Sequence, residues 1–127
     1  MALTSGYVHE QVLYDEQPVP VASTDTPLTP WRYIARAGGW DGFVENAAGD
    51  GQTLLVWAEM RWKTGTQAVL IEAINVTQFA SQVADGARVP FVVEMAQLRE
   101  VRLMARFSGA GGNAIVSDKW TYAIGET

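Results

Sequence analysis

From position 54 to 63 apolar and polar side chains alternate with a period of two. Leu54, Val56, Ala58, Met60 and Trp62 share one face of an extended chain, and Leu55, Trp57, Glu59, Arg61 and Lys63 share the other. A short "TGT" turn follows, and "VLIEAINVT" (69–77) returns as a second strand, so this region predicts a hairpin. "WRYIARA" alternates in the same way and stops at Gly38-Gly39, where "GGWDGFVENAAGDGQ" predicts a long polar loop. "AIVSDKWTYAI" predicts the closing strand, with Ile115, Ser117, Lys119 and Thr121 opposite Val116, Asp118, Trp120, Tyr122 and Ile124. The stretch 91–107 has two readings. "VEMAQLREVRLMARF" is rich in helix formers and lacks Gly and Pro, yet strand alternation resolves on both sides of a break at Leu98-Arg99-Glu100 and the flanks are turn-like. Two strands are therefore expected there, and "SGAGGN" after them reads as a glycine-rich hairpin turn.

Roughly seven or eight short strands separated by glycine turns predict an all-β fold, an antiparallel β-sandwich or jelly roll. The first 30 residues differ. Pro18, Pro20, Pro27 and Pro30 fall within them and cannot supply a regular ladder of N–H donors. Glu10, Asp15, Glu16 and Asp25 give this segment a charge of -4 with no Lys or Arg, whereas the rest of the chain is nearly neutral within a total of -5. Residues 1–30 are thus read as an extended acidic arm and 31–127 as the sandwich domain. The apolar Tyr7, Val8, Val12, Leu13 and Tyr14 would be costly to leave in water, so the arm is expected to dock, either on its own domain or on a neighbour.

Composition narrows the chemistry. The chain has 127 residues, 48% of them hydrophobic, enough for a core without staples, and no cysteine, so neither a disulfide nor a thiolate metal site can form. No apolar run approaches the ~20 residues of a membrane span, no signal-peptide pattern opens the sequence, and the near-neutral body lacks the basic footprint of a nucleic-acid binder. Neither membrane nor nucleic acid is expected as a partner, and the protein is expected to be soluble. The lone histidine, His9, sits in the arm, which disfavours a Ser-His-acid triad. Glu59, Glu72 and Glu94 lie in alternating strands as solvated carboxylates rather than a glycosidase pair. Asp41, Glu45, Asn46 and Asp50 offer calcium-type oxygens without the spacing of a ligand loop. No enzyme activity, cofactor or metal is expected.

Five tryptophans offer flat surfaces for a partner or a sugar. Trp62 shares the apolar face and is expected in the core. Trp57 shares its face with Glu59, Arg61 and Lys63, and Trp40 falls in the expected loop, so Trp40, Trp57, Arg61, Lys63, Arg102 and Arg106 are the candidate contact surface. Tyr7, Val12, Leu13, Tyr14, Asp15 and Glu16 are the candidate docking residues of the arm. The expectation is that an acidic arm from one copy straps across the charged, Trp57-bearing face of another. A small cysteine-free body with such an arm resembles, in architecture, the accessory subunits of phage virions: capsid decoration, head-fibre or tail-connector proteins. That resemblance implies a structural assembly protein of the virion, whose partners are copies of itself and other structural subunits. The alternative is a carbohydrate-binding module using exposed tryptophans, since "VRLMARFSGAGGNAIVSDKW" is similar to the last strands of galactose-binding-like jelly rolls.

Overall fold

A computed structural model describes residues 8–34, 39–64, 67–93 and 99–123, without the side chains of 8, 9, 33, 34, 62–64, 67–80, 99, 122 and 123. The described residues form nine strands: β1 (Val8–Val21), β2 (Thr26–Pro27), β3 (Arg32–Ile34), β4 (Gly39–Asn46), β5 (Leu54–Thr64), β6 (Gln67–Val83), β7 (Arg88–Val93), β8 (Arg99–Phe107) and β9 (Gly112–Ala123). One sheet has the order β1-β9-β4-β7; the other has β2-β8-β5-β6, with β3 also pairing β8. The paired strands are antiparallel, and the two sheets make the β-sandwich expected from the alternation. No helix of the structure is long and apolar enough to cross a membrane.

Inward-facing residues of both sheets meet in one core. Val44, Val93 and Val116 come from the four-stranded sheet, and Leu54, Val56, Val101 and Leu103 from the five-stranded sheet. Phe91 meets Trp40 edge to face, with ring centroids 5.0 Å apart. Side chains of this kind each contribute about 1.5–3 kcal/mol when fully buried. The stretch 91–107 divides between β7 and β8, so alternation outweighed helix propensity there.

Three local expectations are corrected. Residues 39–46 are a strand and not a loop: Trp40, Val44 and Asn46 point inward while Asp41, Phe43 and Glu45 do not, a period-two pattern disguised by a glycine and an asparagine. Glycine is required at position 42, where a Cβ would collide with the Ser117 carbonyl of β9. The turn "SGAGGN" does not close a hairpin, because β8 and β9 belong to different sheets. Gly111, at φ 105°, carries the chain across, and a Cβ there would sit 2.7 Å from the Val21 carbonyl oxygen. Finally, β6 extends through Val83, taking in residues expected to be a connection.

Residues 8–21, the first part of the acidic segment, form the outermost strand of the four-stranded sheet. β1 pairs with β9 of the same chain from Val8 opposite Ala123 to Val21 opposite Gly112. Pro18 and Pro20 are compatible with this place because an edge strand uses only one side of its backbone. The chain then crosses to the opposite sheet, where β2 and β3 line β8.

Candidate assembly interface

The strand period of β9 places Asp118 between Val116 and Trp120 on the inward face, and the carboxylate is 1% exposed. Four donors satisfy it. The Trp40 indole N–H lies 2.9 Å from Oδ2, Arg32 donates from Nε at 3.0 Å and from Nη2 at 3.3 Å, and the Tyr14 backbone N–H donates at 3.1 Å. The Arg32 guanidinium also lies 4.6 Å from the centroid of the Tyr14 ring. Asp118 therefore joins β1, β4 and β9 of one sheet to β3 of the other. A carboxylate in this position is tolerable only because charge and hydrogen-bonding capacity are both matched.

Beside this socket β1 departs from regular register, with shifts between Val12 and Tyr14 and between Tyr14 and Gln17. Glu16 takes a left-handed φ of 48°, and its N–H donates to Ser117 Oγ at 2.8 Å. The bulged strand borders a cleft of about 360 Å³ lined in part by Val12, Asp15, Asp41, Phe43 and Lys119. Lys119 Nζ donates to Glu10 at 2.6 Å, and that hydrogen bond raises the lysine above its ordinary pKa. Of the arm residues singled out above, Val12 is exposed, Leu13 and Tyr14 pack against the core, and Asp15 and Glu16 are exposed at the bulge. Tyr7 lies outside the described residues.

The other predicted surface is on the outer side of β5 and β8. Trp57, Arg61, Arg102 and Arg106 come together there, while the side chain of Lys63, like that of Trp62, lies outside the described residues. The charges are matched within the chain. Arg102 pairs with Glu59 at 3.0 Å, Arg61 with Glu100 at 2.8 Å, and Arg106 with Asp25 of the N-terminal segment at 3.0 Å. Trp31 receives the guanidinium groups of Arg61 and Arg102, at 4.1 and 4.4 Å from its centroid. Trp57 is 8% exposed, with Arg106 5.5 Å from its ring. Trp40 does not belong to this surface: it is 0% exposed in the core, because 39–46 is a strand and Asp118 accepts its N–H.

Loops at one end of the sandwich are tied by side chains. The buried Asn46 amide donates to the Gln52 and Val83 carbonyls and accepts from the Ala48 N–H. Gln52 Oε1 accepts from Gly109 and Gly111. Asp85 accepts from the Gly51 and Gly49 N–H groups at 2.7 and 2.8 Å, which hold its carboxyl below the ordinary carboxylate range. Asp41 and Glu45 stand on β4, Asn46 points inward and Asp50 bonds Gln52, so these calcium-type oxygens do not converge. Among the described residues no group of three His, Asp or Glu could hold a metal ion.

Sequence reasoning missed Asp118 and Arg32, and took Asn46 for a calcium-type oxygen where it is a buried amide tying loops. A signal was present for the first of these: an acid at period two between Val116 and Trp120 occupies an apolar face and so needs buried partners.

No protein-family model and no curated protein matches this chain. Among solved structures, it is similar in fold to a protein of Bacillus endospore appendages, described as forming a family of disulfide-linked pili. The TM-score is 0.51 at 14% identity, over 93% of this chain and 88% of that one. A second likeness is to a protein in the structure of infectious bursal disease virus, Gx strain. There the TM-score is 0.42 at 12% identity, over 97% of this chain but 32% of the viral one.

Proposed function

We propose that this chain is a non-enzymatic structural subunit that assembles with copies of itself and with other structural subunits, in an accessory role such as capsid decoration, head fibre or tail connector, and that β1 is its assembly element. The observation that carries this reading is the seat of β1. The strand runs 14 residues along β9 at the end of the sheet order among the described residues, and its register is keyed at Tyr14 by a buried carboxylate and a stacked arginine. A seat that specific works equally well for the strand of another copy, so β1 of one subunit docks on β9 of the next. The pilus-forming protein of similar fold supports self-assembly as a use of such a body, but its disulfide linkage has no counterpart here, because this chain has no cysteine. Assembly then rests on strand pairing and the Asp118 socket. The carbohydrate reading is less favoured because Trp40 and Trp57, at 0% and 8% exposure, offer no open indole face.

The absence of cysteine makes a clean test available. Pro20 and Asn113 are opposite each other on β1 and β9, and both are exposed. Chains carrying Pro20→Cys are mixed with chains carrying Asn113→Cys under oxidising conditions. A disulfide between the two chains is the expected result. Formation of the bridge only within the double variant, with none on mixing, overturns docking between subunits.

A further inference from the structure

The two exposed large hydrophobic residues among those described are Val12, 61% exposed, and Val92, 59% exposed. They lie at the opposite edges of the four-stranded sheet, in one cross-strand row. Val12 on β1 faces Lys119 on β9, Lys119 faces Asp41 on β4, and Asp41 faces Val92 on β7. Residues directly opposite in antiparallel strands share a face, so the row Val12, Lys119, Asp41, Val92 lies across the outer side of the sandwich, about 14 Å from edge to edge.

This order is a charge palindrome. Apolar ends flank one cation and one anion, which is the pattern that an isologous contact requires. We infer that the outer face of the four-stranded sheet is a two-fold contact between copies of this chain, with the axis lying in the contact plane, parallel to the strands, between β9 and β4. That operation sets Lys119 over Asp41 of the second copy and Val12 over its Val92, twice each. An axis perpendicular to the strands would instead stack lysine on lysine and aspartate on aspartate. The parallel axis also keeps the strand directions of the two faces close to aligned, as twisted sheets pack. The cleft beside Val12 then receives the Val92 side chain of the second copy. Neighbouring charges are held within the chain, Glu10 by Lys119 and both Glu45 and Glu16 by Arg88, so the second copy need not neutralise them. The inference rests on the assembly reading above but does not require exchange of β1.

The test is sedimentation equilibrium of the intact chain over a wide concentration range. A reversible dimer is expected for the wild type. Val92→Asp, at an exposed site, should weaken it at least about tenfold by placing a charge against Val12, with at most a small drop in melting temperature, because the new carboxylate also faces Asp41 across the β4–β7 pair. Asp41→Lys and Lys119→Asp should each weaken self-association, and an equimolar mixture of the two should restore it, because each then meets its opposite charge. Undiminished association of Val92→Asp, or a mixture no stronger than its components, overturns the contact. If cross-linking between Pro20→Cys and Asn113→Cys chains persists while Val92→Asp has no effect, the face is wrong and strand docking stands. A wild type that stays monomeric into the millimolar range overturns both.

Discussion

On the outer side of the five-stranded sheet, Glu59 and Arg102, and Arg61 and Glu100, are direct cross-strand neighbours joined by ion pairs, and Trp31 lies under the two arginines. On the outer side of the four-stranded sheet, Lys119 reaches along the sheet to Glu10, Asp41 accepts the Thr121 hydroxyl, and valines stand exposed at both edges. Both faces are rich in charge and pair it within the chain, but the first covers Trp57 and stacks Trp31 under its arginines, whereas the second leaves two valines exposed. A dense array of arginines and tryptophans is thus a poor marker of an interface when each member already has a partner. Two exposed valines that end one cross-strand row are the more informative observation, not because exposure of a single valine is unusual but because of where the pairing of the sheet puts them.

The four-stranded sheet is secured from its inner side, at the buried carboxylate of Asp118. Asp118→Ala leaves the Arg32 charge and the Trp40 N–H buried without their acceptor and removes the anchor of β1 at Tyr14. Stability in urea should fall by about 3–5 kcal/mol. A loss below about 1 kcal/mol would mean that β1 is held by its backbone ladder alone. Gly42→Ala attacks the same sheet through the backbone, since the added methyl group meets the Ser117 carbonyl and forces β4 from β9. A loss of about 1–3 kcal/mol is expected in thermal unfolding. On the opposite face, Glu59→Ala unpairs Arg102, but the guanidinium keeps the Trp31 ring and partial access to water. About 1 kcal/mol should be lost, and less at high salt.

These differences also explain what was legible in the sequence. Strict alternation in 54–63 revealed β5 and its two faces, and the same period on either side of 94–98 identified β7 and β8 against a competing helical propensity. Alternation was hidden in β4, where Gly42 replaces an inward side chain and Asn46 is an amide buried by its own hydrogen bonds. The partners of Arg61 and Arg102 were not readable, because Glu100 and Glu59 face them only through the pairing of β5 with β8. The role of Asp118 depends on Arg32, 86 positions away. Such contacts arise from topology, which periodicity does not encode.

A smaller effect tests the end of the sandwich, away from both faces. The Gly51 and Gly49 N–H groups hold Asp85 below its ordinary pKa, so the group contributes stability above its unfolded pKa, and that contribution is lost as pH falls through the folded pKa. Asp85→Asn should lower the melting temperature at neutral pH, and the difference from wild type should vanish in acid. A difference that persists below the folded pKa would assign the effect to hydrogen-bond geometry and not to charge.

The smallest expected effect on stability is also the most discriminating. Val92 is exposed on an edge strand but stands directly opposite Asp41, so Val92→Asp should lower folding stability by no more than about 1 kcal/mol. On the opposite face, Arg106→Ala removes a pair that is half exposed on both sides and should be nearly neutral for folding. The two variants separate mainly in self-association, which Val92→Asp should weaken and Arg106→Ala should leave intact. The reverse outcome would return the interface to the Trp57 face and make the exposed valines incidental.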